Sequence, residues 1–360
     1  MEVFPQNKVM QLNIKSSQGA YKVKFIQDYK IALREECESK DIIIIDEKIY
    51  RLFKLNQLLM GKKIITIKAN EKNKSFESLG KVINQVINYS FKKNNKIIVI
   101  GGGIIQDIGS FISSLIFRGV DWYFFPTSFL AQCDSCIGGK TSINFHGRKN
   151  QLGNFYPPKK IFIDTNFLKT LSKKDLRSGI GEMAHYFFVS SKSDFNYFKK
   201  NYLRALDKEI LVCKSLIYKS LRIKKFFIEI DEHDKKERLI LNYGHTFGHA
   251  IEALTNYKIP HGVAVANGMN ISNFISYKKN FISLSQFEEM QGILSKIFKN
   301  DKPSSINTKK YINFLKSDKK NINKNLRAVL TKGIGKMFLC EIPIDKKFSQ
   351  ILDSYENLYL

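Results

Sequence analysis

The chain has 360 residues, 43% of them hydrophobic, which is enough to bury a large core and to form two domains. No apolar run approaches the ~18 residues of a membrane span, and the start, MEVFPQNKVMQLNIK, has no basic segment leading into an apolar one, so neither a span nor a signal peptide is expected. The formal net charge is +26, but the basic residues are mostly lysines spread along the whole chain, with no arginine-rich tail or aromatic-spaced stripe; this argues against nucleic acid and suits attraction of an anionic substrate.

The predicted elements begin with DIIIID at 41–46, a short apolar run that reads as a buried strand with Asp46 at its carboxyl end. KIITIK at 63–68 reads as a second strand. Glu71 to Ser90 reads as a helix with Leu79, Val82, Ile83, Val86 and Ile87 on one side. KIIVI at 96–100 is a third strand that runs directly into Gly101, Gly102 and Gly103, and then into the helical pattern IIQDIGSFISSLIF. Strand, glycines and helix in that order set bare N–H groups and a helix N-terminus where a phosphate can bind. The spacing is not G-x-G-x-x-G, so a tight turn at a strand end is the alternative for this segment alone.

Arg118 and Gly119 close that helix, and VDWYFF at 120–125 is a fourth strand stopped by Pro126. Thr127 and Ser128 follow at the strand end, where parallel sheets place ligand contacts. The next stretch, FLAQCDSCIGGKTSINFHGRKNQLGNFYPP, is long, polar and rich in glycine and asparagine, and it carries Asp134, Lys140, Lys149 and Asn150. Cys133 and Cys136 form a C-x-x-C with no second pair to match, so a structural role is expected there. The five cysteines are few and scattered, which fits a reducing cytoplasm. KIFIDT at 160–165 is the last strand of this half.

From Leu171 the pattern turns helical, and Ser172 opens an S-K-K-D start of capping-box type. Glu182 lies inside that helix, in SGIGEMAHYFF. Helices continue through 194–230, and DEHDKKER at 231–238 is a charged loop or helix start. Then comes NYGHTFGHAIEALTNYKIPH, from Asn242 to His261. His245 and His249 are four residues apart, on one face of a helix, so two imidazoles can meet one ion. Histidine nitrogen suits zinc and its neighbours among divalent metals. Three of the six histidines of the chain fall in this stretch, and Gly244 and Gly248 beside them suit close packing or close approach of a ligand. More helices reach about residue 300, and RAVLTKGIGKMFLCEI near the end suggests a short hairpin.

Taken together, GGGIIQDIGSF, FRG, PTSFLAQCDSCIGGKTSIN, KNQLGNFYPP, DTNFLKTL and RLILNYGHTFGHAIEA resemble, in this order, the 3-dehydroquinate synthases of the sugar phosphate cyclases. The likeness runs from about residue 46 to residue 335. It implies an α/β fold, with a Rossmann-like NAD-binding domain at 1–171 and an all-helical metal- and substrate-binding domain at 172–360, with the active site in the cleft between them. It also implies a homodimer that uses NAD and a divalent metal, Zn2+ or Co2+.

By the same resemblance the metal ligands are Glu182, His245 and His261. The NAD contacts are Asp46, Glu71, Lys74, Gly102, Gly103, Asp107, Thr127, Ser128, Phe167 and Thr170, with Lys140 and Lys149 shared with the substrate. Substrate and catalytic positions are Arg118, Asp134, Lys140, Lys149, Asn150, Lys224, Arg238, Asn242, His249 and one of Lys319 and Lys320. The implied reaction turns 3-deoxy-D-arabino-heptulosonate 7-phosphate into a carbocycle by transient oxidation, phosphate elimination, re-reduction, ring opening and aldol closure.

Three positions depart from the family pattern. His185 stands where a lysine is usual, Asp234 replaces a glutamate, and Val263 replaces the glutamate of HGEAV. His185, a candidate substrate contact, exchanges a fixed ammonium for a titratable ring. Another sugar phosphate cyclase with a different substrate is the alternative, and a metal-dependent polyol dehydrogenase the one after it.

Overall fold

The computed structural model describes residues 10–298, 301–303, 305–316 and 325–359. The chain divides into two compact units, Met1–Thr170 and Leu171–Leu360.

The first unit runs β1 (Gln11–Ile14), β2 (Tyr21–Phe25), α1 (Tyr29–Glu36), β3 (Ile42–Asp46), α2 (Glu47–Leu52), α3 (Leu55–Leu58), β4 (Lys63–Ile67), α4 (Phe76–Asn88), β5 (Ile97–Gly101), α5 (Gly103–Leu115), β6 (Trp122–Pro126), β7 (Ile143–Phe145), β8 (Arg148–Leu152) and β9 (Lys160–Ile163). Seven strands form one sheet in the order β1-β2-β9-β6-β5-β3-β4. All neighbours are parallel except the β1–β2 pair at one edge. The central strands read as unbroken apolar runs because both of their faces are covered: Ile42 to Ile45 and Ile97 to Ile100 are fully buried. Parallel order brings the carboxyl ends of β3, β5, β6 and β9 to one edge, and Asp46, Gly101 and Thr127 lie there.

Two details differ from the sequence reading. The helix expected from Glu71 starts only at Phe76, where the Ser75 hydroxyl accepts from Ser78 N–H. An Asx turn explains the delay: Asn73 N–H donates to Asn70 Oδ1 (2.9 Å), which keeps Glu71 and Lys74 in a loop. Of the five apolar positions assigned to that helix face, Leu79 and Val86 are buried and Ile87 is exposed. The polar stretch after Thr127, whose composition points to a loop, also contains the β7–β8 hairpin.

The second unit runs α6 (Lys173–Ser190), α7 (Lys192–Leu206), α8 (Ile210–Ile230), α9 (His245–Leu254), α10 (His261–Lys278), α11 (Leu284–Phe298), α12 (Thr308–Lys316), β10 (Asn325–Thr331), β11 (Met337–Pro343) and α13 (Lys346–Tyr359). It is helical apart from the β10–β11 hairpin that RAVLTKGIGKMFLCEI suggests, so the expected all-helical domain carries one antiparallel pair. Ser172 caps α6 as its sequence suggested, accepting from Asp175 N–H at 3.1 Å. α10 is the buried axis of the unit, with every residue from Gly262 to Ser276 buried. No described helix is long and apolar enough to cross a membrane.

Candidate active site

Glycines set the positions of the helices that carry the histidines. A Cβ on Gly181 would lie 2.1 Å from the carbonyl oxygen of Gly262, and one on Gly262 would lie 1.7 Å from that of Ser178. α6 and α10 therefore touch backbone to backbone. α9 and α10 do the same, since a Cβ on Gly268 would lie 2.0 Å from the Gly244 carbonyl oxygen. Gly244 itself, at φ +82°, turns the chain into α9. Each of these seams has a candidate ligand as its immediate neighbour: Glu182 after Gly181, His245 after Gly244, His261 before Gly262.

Glu182 is the centre of the cluster, 3% exposed. Its Oε1 accepts from His245 Nε2 at 3.3 Å, and its Oε2 lies 3.3 Å from His261 Nε2. That second oxygen is buried and makes no hydrogen bond. His185, one turn along α6 and 1% exposed, brings Nδ1 to 3.9 Å from Glu182 Oε1. His249 is exposed on α9, with its ring 5.6 Å from those of both His245 and His261. Two groups of three side chains, Glu182–His185–His245 and His249–Glu252–His261, each offer ligand atoms within 4.8 Å of one another.

Electrostatics tie the cluster together. Burial alone would push the Glu182 carboxyl up, but His245 and His261 hold it well below the usual carboxylate range. Burial likewise disfavours the charged His261 ring, yet Glu182 and Glu252 outweigh it and raise its pKa well above the usual value. His261 Nδ1 donates to Glu252 Oε2 at 3.0 Å, which fixes the ring and turns Nε2 toward Glu182. Sequence reasoning missed Glu252. Its only signal was a place on the face of α9, three residues after His249.

Donor set and environment fit a divalent ion. Glu182 Oε2, buried, without a hydrogen bond and 3.3 Å from His261 Nε2, is a site where a cation is stabilised, and a bound divalent ion would take the place of the His261 proton there.

The other candidate residues of this unit lie on α8, on α10 and in the segment between α8 and α9. Lys224 on α8 is 6% exposed and Arg238 is 4% exposed. Arg238 Nη1 donates to Glu232 O at 2.6 Å, which anchors one side of the guanidinium. Asn242 Nδ2 donates to Leu239 O at 3.0 Å, just ahead of His245. Asp234 stands in a left-handed turn at φ +58°, and Val263 is fully buried on α10. Lys319 and Lys320 lie outside the described residues.

In the first unit, the carboxyl edge of the sheet carries the second set. Gly102 is the N-cap of α5 and Gly103 its first residue, and no side chain caps that helix. A Cβ on Gly102 would approach Ser128 Oγ to 3.3 Å, so this turn and the Thr127–Ser128 strand end lie close together. Thr127 N–H donates to Gly101 O at 3.0 Å, and Ser128 Oγ accepts from Ala131 N–H at 3.2 Å. An open, uncapped helix N-terminus at this edge fits a dinucleotide phosphate. Asp46 spends one oxygen capping α2, through Lys48 N–H at 2.9 Å, and burial raises its pKa.

Behind that turn lies a charged network. Lys74 pairs with Asp107 at 2.6 Å and donates to Asn150 Oδ1 at 2.9 Å. Lys149 pairs with Glu71 at 3.2 Å. Desolvation pushes the Asp107 carboxyl up to about 6, against the pull of Lys74. Asn144, which sequence reasoning overlooked, links the pieces: its Nδ2 donates to Glu71 Oε2 (2.8 Å), its N–H to Lys74 O (2.9 Å), and its Oδ1 accepts from Asn150 N–H (3.0 Å).

The remaining candidates are more scattered. Phe167 packs in the core against Tyr29 and Phe53, with ring centroids 4.6 and 5.0 Å away, and Thr170 Oγ1 donates to Phe167 O at 3.1 Å. Asp134 lies in the turn Ala131–Ser135, with both Cys133 and Cys136 buried. Lys140 is exposed and bridges to the Phe155 backbone. Arg118 is exposed and left-handed at φ +62°, after Phe117 at φ +52°. Two such residues in succession are strained, at the junction between α5 and β6.

Comparison with known proteins places these features in a family. Residues 64–178 match the family described as 3-dehydroquinate synthase N-terminal, and residues 179–321 match 3-dehydroquinate synthase C-terminal. The 3-dehydroquinate synthase of Dictyoglomus thermophilum is 37% identical over 320 residues, covering 88% of each chain. That of Helicobacter pylori is 35% identical over 322 residues, covering 86% of this chain and 91% of its own. Among solved structures, a 2-deoxy-scyllo-inosose synthase complexed with carbaglucose-6-phosphate, NAD+ and Co2+ superposes with a TM-score of 0.84 at 20% identity, covering 96% of this chain and all of that one. A 2-epi-5-epi-valiolone synthase from Streptomyces hygroscopicus with NAD+ and Zn2+ also gives 0.84 at 20% identity, covering 94% and 98%. An iron-containing alcohol dehydrogenase gives 0.62 at 15% identity, covering 93% and 97%. These three likenesses describe the fold.

Proposed function

The chain belongs to the 3-dehydroquinate synthase family, and from that premise we infer that it converts 3-deoxy-D-arabino-heptulosonate 7-phosphate to 3-dehydroquinate and phosphate, a carbon–oxygen lyase step of the shikimate pathway to aromatic amino acids. The observation that carries the reading is the cluster at Glu182, in which two helix-borne histidines address the two oxygens of one buried carboxylate.

In this reading Glu182, His245 and His261 hold a divalent metal, zinc or cobalt. NAD lies on the first unit, along Asp46, the Gly102–Gly103 turn and the Thr127–Ser128 strand end. When bound, NAD supplies a reversible hydride acceptor and the metal a Lewis acid. The chain itself binds and orients. Lys224 and Arg238, both buried, are suited to the substrate's carboxylate and phosphate, where desolvation strengthens a charge-assisted hydrogen bond. Lys140, Lys149, Asn150, Asp134, Arg118, Asn242 and His249 are the further substrate contacts proposed, with one of Lys319 and Lys320. The substrate's own phosphate can accept a proton on leaving, so few dedicated bases are needed. Glu252 holds the His261 ring. A homodimer in the cytoplasm goes with this reading. Scarce, scattered cysteines support the compartment, and the family resemblance supports the dimer.

The test is substrate choice. With NAD and Zn2+ or Co2+, the chain should consume the heptulosonate phosphate and yield 3-dehydroquinate, identified by mass and NMR. Turnover of sedoheptulose 7-phosphate or glucose 6-phosphate in its place would replace this reading by that of another sugar phosphate cyclase.

A further inference from the structure

His185 is buried deeper than any other histidine of the cluster, and its position on α6 decides what it can reach. It follows Glu182 by three residues, so the two side chains share one helix face. A Glu-x-x-His pair on one helix is an arrangement by which helical bundles hold metal ions. His185 Nδ1 lies 3.9 Å from Glu182 Oε1, and His245 Nε2 lies 3.3 Å from the same oxygen. The two rings stand nearly perpendicular, 82° apart with centroids 5.2 Å from each other, so their nitrogens approach that oxygen from different directions. Ligand atoms of all three residues fall within 4.8 Å of one another.

We propose that His185 is itself a ligand of the divalent metal, so that Glu182, His185 and His245 form the buried wall of the site and His261 its more open side. The proposal rests on the reading that this cluster holds a metal. Tetrahedral zinc, with bonds of about 2.0–2.1 Å, sets neighbouring ligand atoms roughly 3.3–3.5 Å apart. The 3.3 Å contacts already meet that spacing, and the 3.9 Å one needs only a small turn of the His185 ring. Four protein ligands close the tetrahedron, so substrate oxygens would reach the ion as a fifth ligand, and His185 tunes both the metal preference and the substrate fit.

The experiment uses the full chain stripped of metal, without NAD or substrate. Co2+ is titrated in while the visible absorption is followed, and a chelator of known affinity competes for it. Wild type, His185→Asn, His185→Lys and His245→Asn are compared, with circular dichroism to confirm that each is folded. Both His185 variants should bind Co2+ at least ~10-fold more weakly, with an altered absorption band. As a check that needs no variant, X-ray absorption of the Co2+-loaded wild type should count three imidazoles. Two imidazoles, or His185 variants that match wild type in affinity and spectrum while His245→Asn loses binding, would overturn the proposal. A wild type that binds no Co2+ would instead overturn the metal reading beneath it.

Discussion

Glu182 Oε2 and His261 Nε2 stand 3.3 Å apart, and the residues beside them, Gly181 and Gly262, are where α6 and α10 meet backbone to backbone. The distance between carboxylate and imidazole is therefore set by the absence of two Cβ atoms. Gly181→Ala or Gly262→Ala must push the helices apart. Each should cost roughly 1–3 kcal/mol or more in urea unfolding and weaken Co2+ binding in parallel. Gly292→Ala on α11, where a Cβ meets nothing within 4 Å, should be neutral or stabilising and leave Co2+ binding unchanged. Equal behaviour of all three variants would refute the role given to the seam.

Glu252 should matter through His261 alone. Its carboxylate holds Nδ1 at 3.0 Å. Glu252→Ala should lower metal affinity about 10- to 100-fold, with Glu252→Gln losing less because it can still accept that hydrogen bond. Chelator competition measures this directly. Unchanged affinity in Glu252→Ala would mean that the ring is oriented by something else.

Asn144 is expected to be the structural hub of the first unit's site. Asn144→Ala keeps the backbone bond to Lys74 O but removes three side-chain hydrogen bonds, from Nδ2 to Glu71 Oε2 and Glu71 O and from Asn150 N–H to Oδ1, and strands the Glu71 carboxylate with Lys149 as its remaining partner. A loss of about 1–3 kcal/mol is expected, with weaker NAD binding by fluorescence titration. A variant as stable as wild type that binds NAD equally well would contradict the account.

Asp107 gives the pH prediction. Burial raises its carboxyl from 3.8 to about 6 in the folded chain, so the native form holds the proton more tightly than the unfolded form. The stability this confers is complete below the unfolded pKa and is lost as pH rises through about 6. Subtracting the unfolding free energies of Asp107→Asn from those of wild type should leave a curve that falls between about pH 4 and 6 and is flat above. A pH-independent difference would sink the assignment.

Much of the fold was readable because its signals are local. Ile42–Ile45 and Ile97–Ile100 announce central parallel strands by being apolar on both faces, and the Gly101–Gly103 turn marks the strand-to-helix junction. The glycines beside His245 suggested close packing, and Gly248 does lie against α10, where a Cβ would come within 2.9 Å of Ala264 O. The signals that failed were non-local or ambiguous. Nothing in SGIGEMAHYFF alone says that Glu182 meets histidines of other helices; the family resemblance pointed there, and the contact with His261 depends on the α6–α10 seam. Glu252 looks like any helical glutamate until His261 folds back onto it. β7 has only three residues and β8, RKNQL, is mostly polar, so both read as loop. The start of α4 shifted because the Asn70 turn competes locally for the same backbone groups.

The central claim is a cyclase that uses its nicotinamide and returns it. Its most direct test follows, in one reaction with the heptulosonate phosphate, NAD and zinc, the phosphate released, the carbocycle formed and the NADH present. The account predicts one phosphate per 3-dehydroquinate and no net NADH over many turnovers. NADH rising in step with substrate loss, without phosphate release, would contradict it and mark the chain as a dehydrogenase.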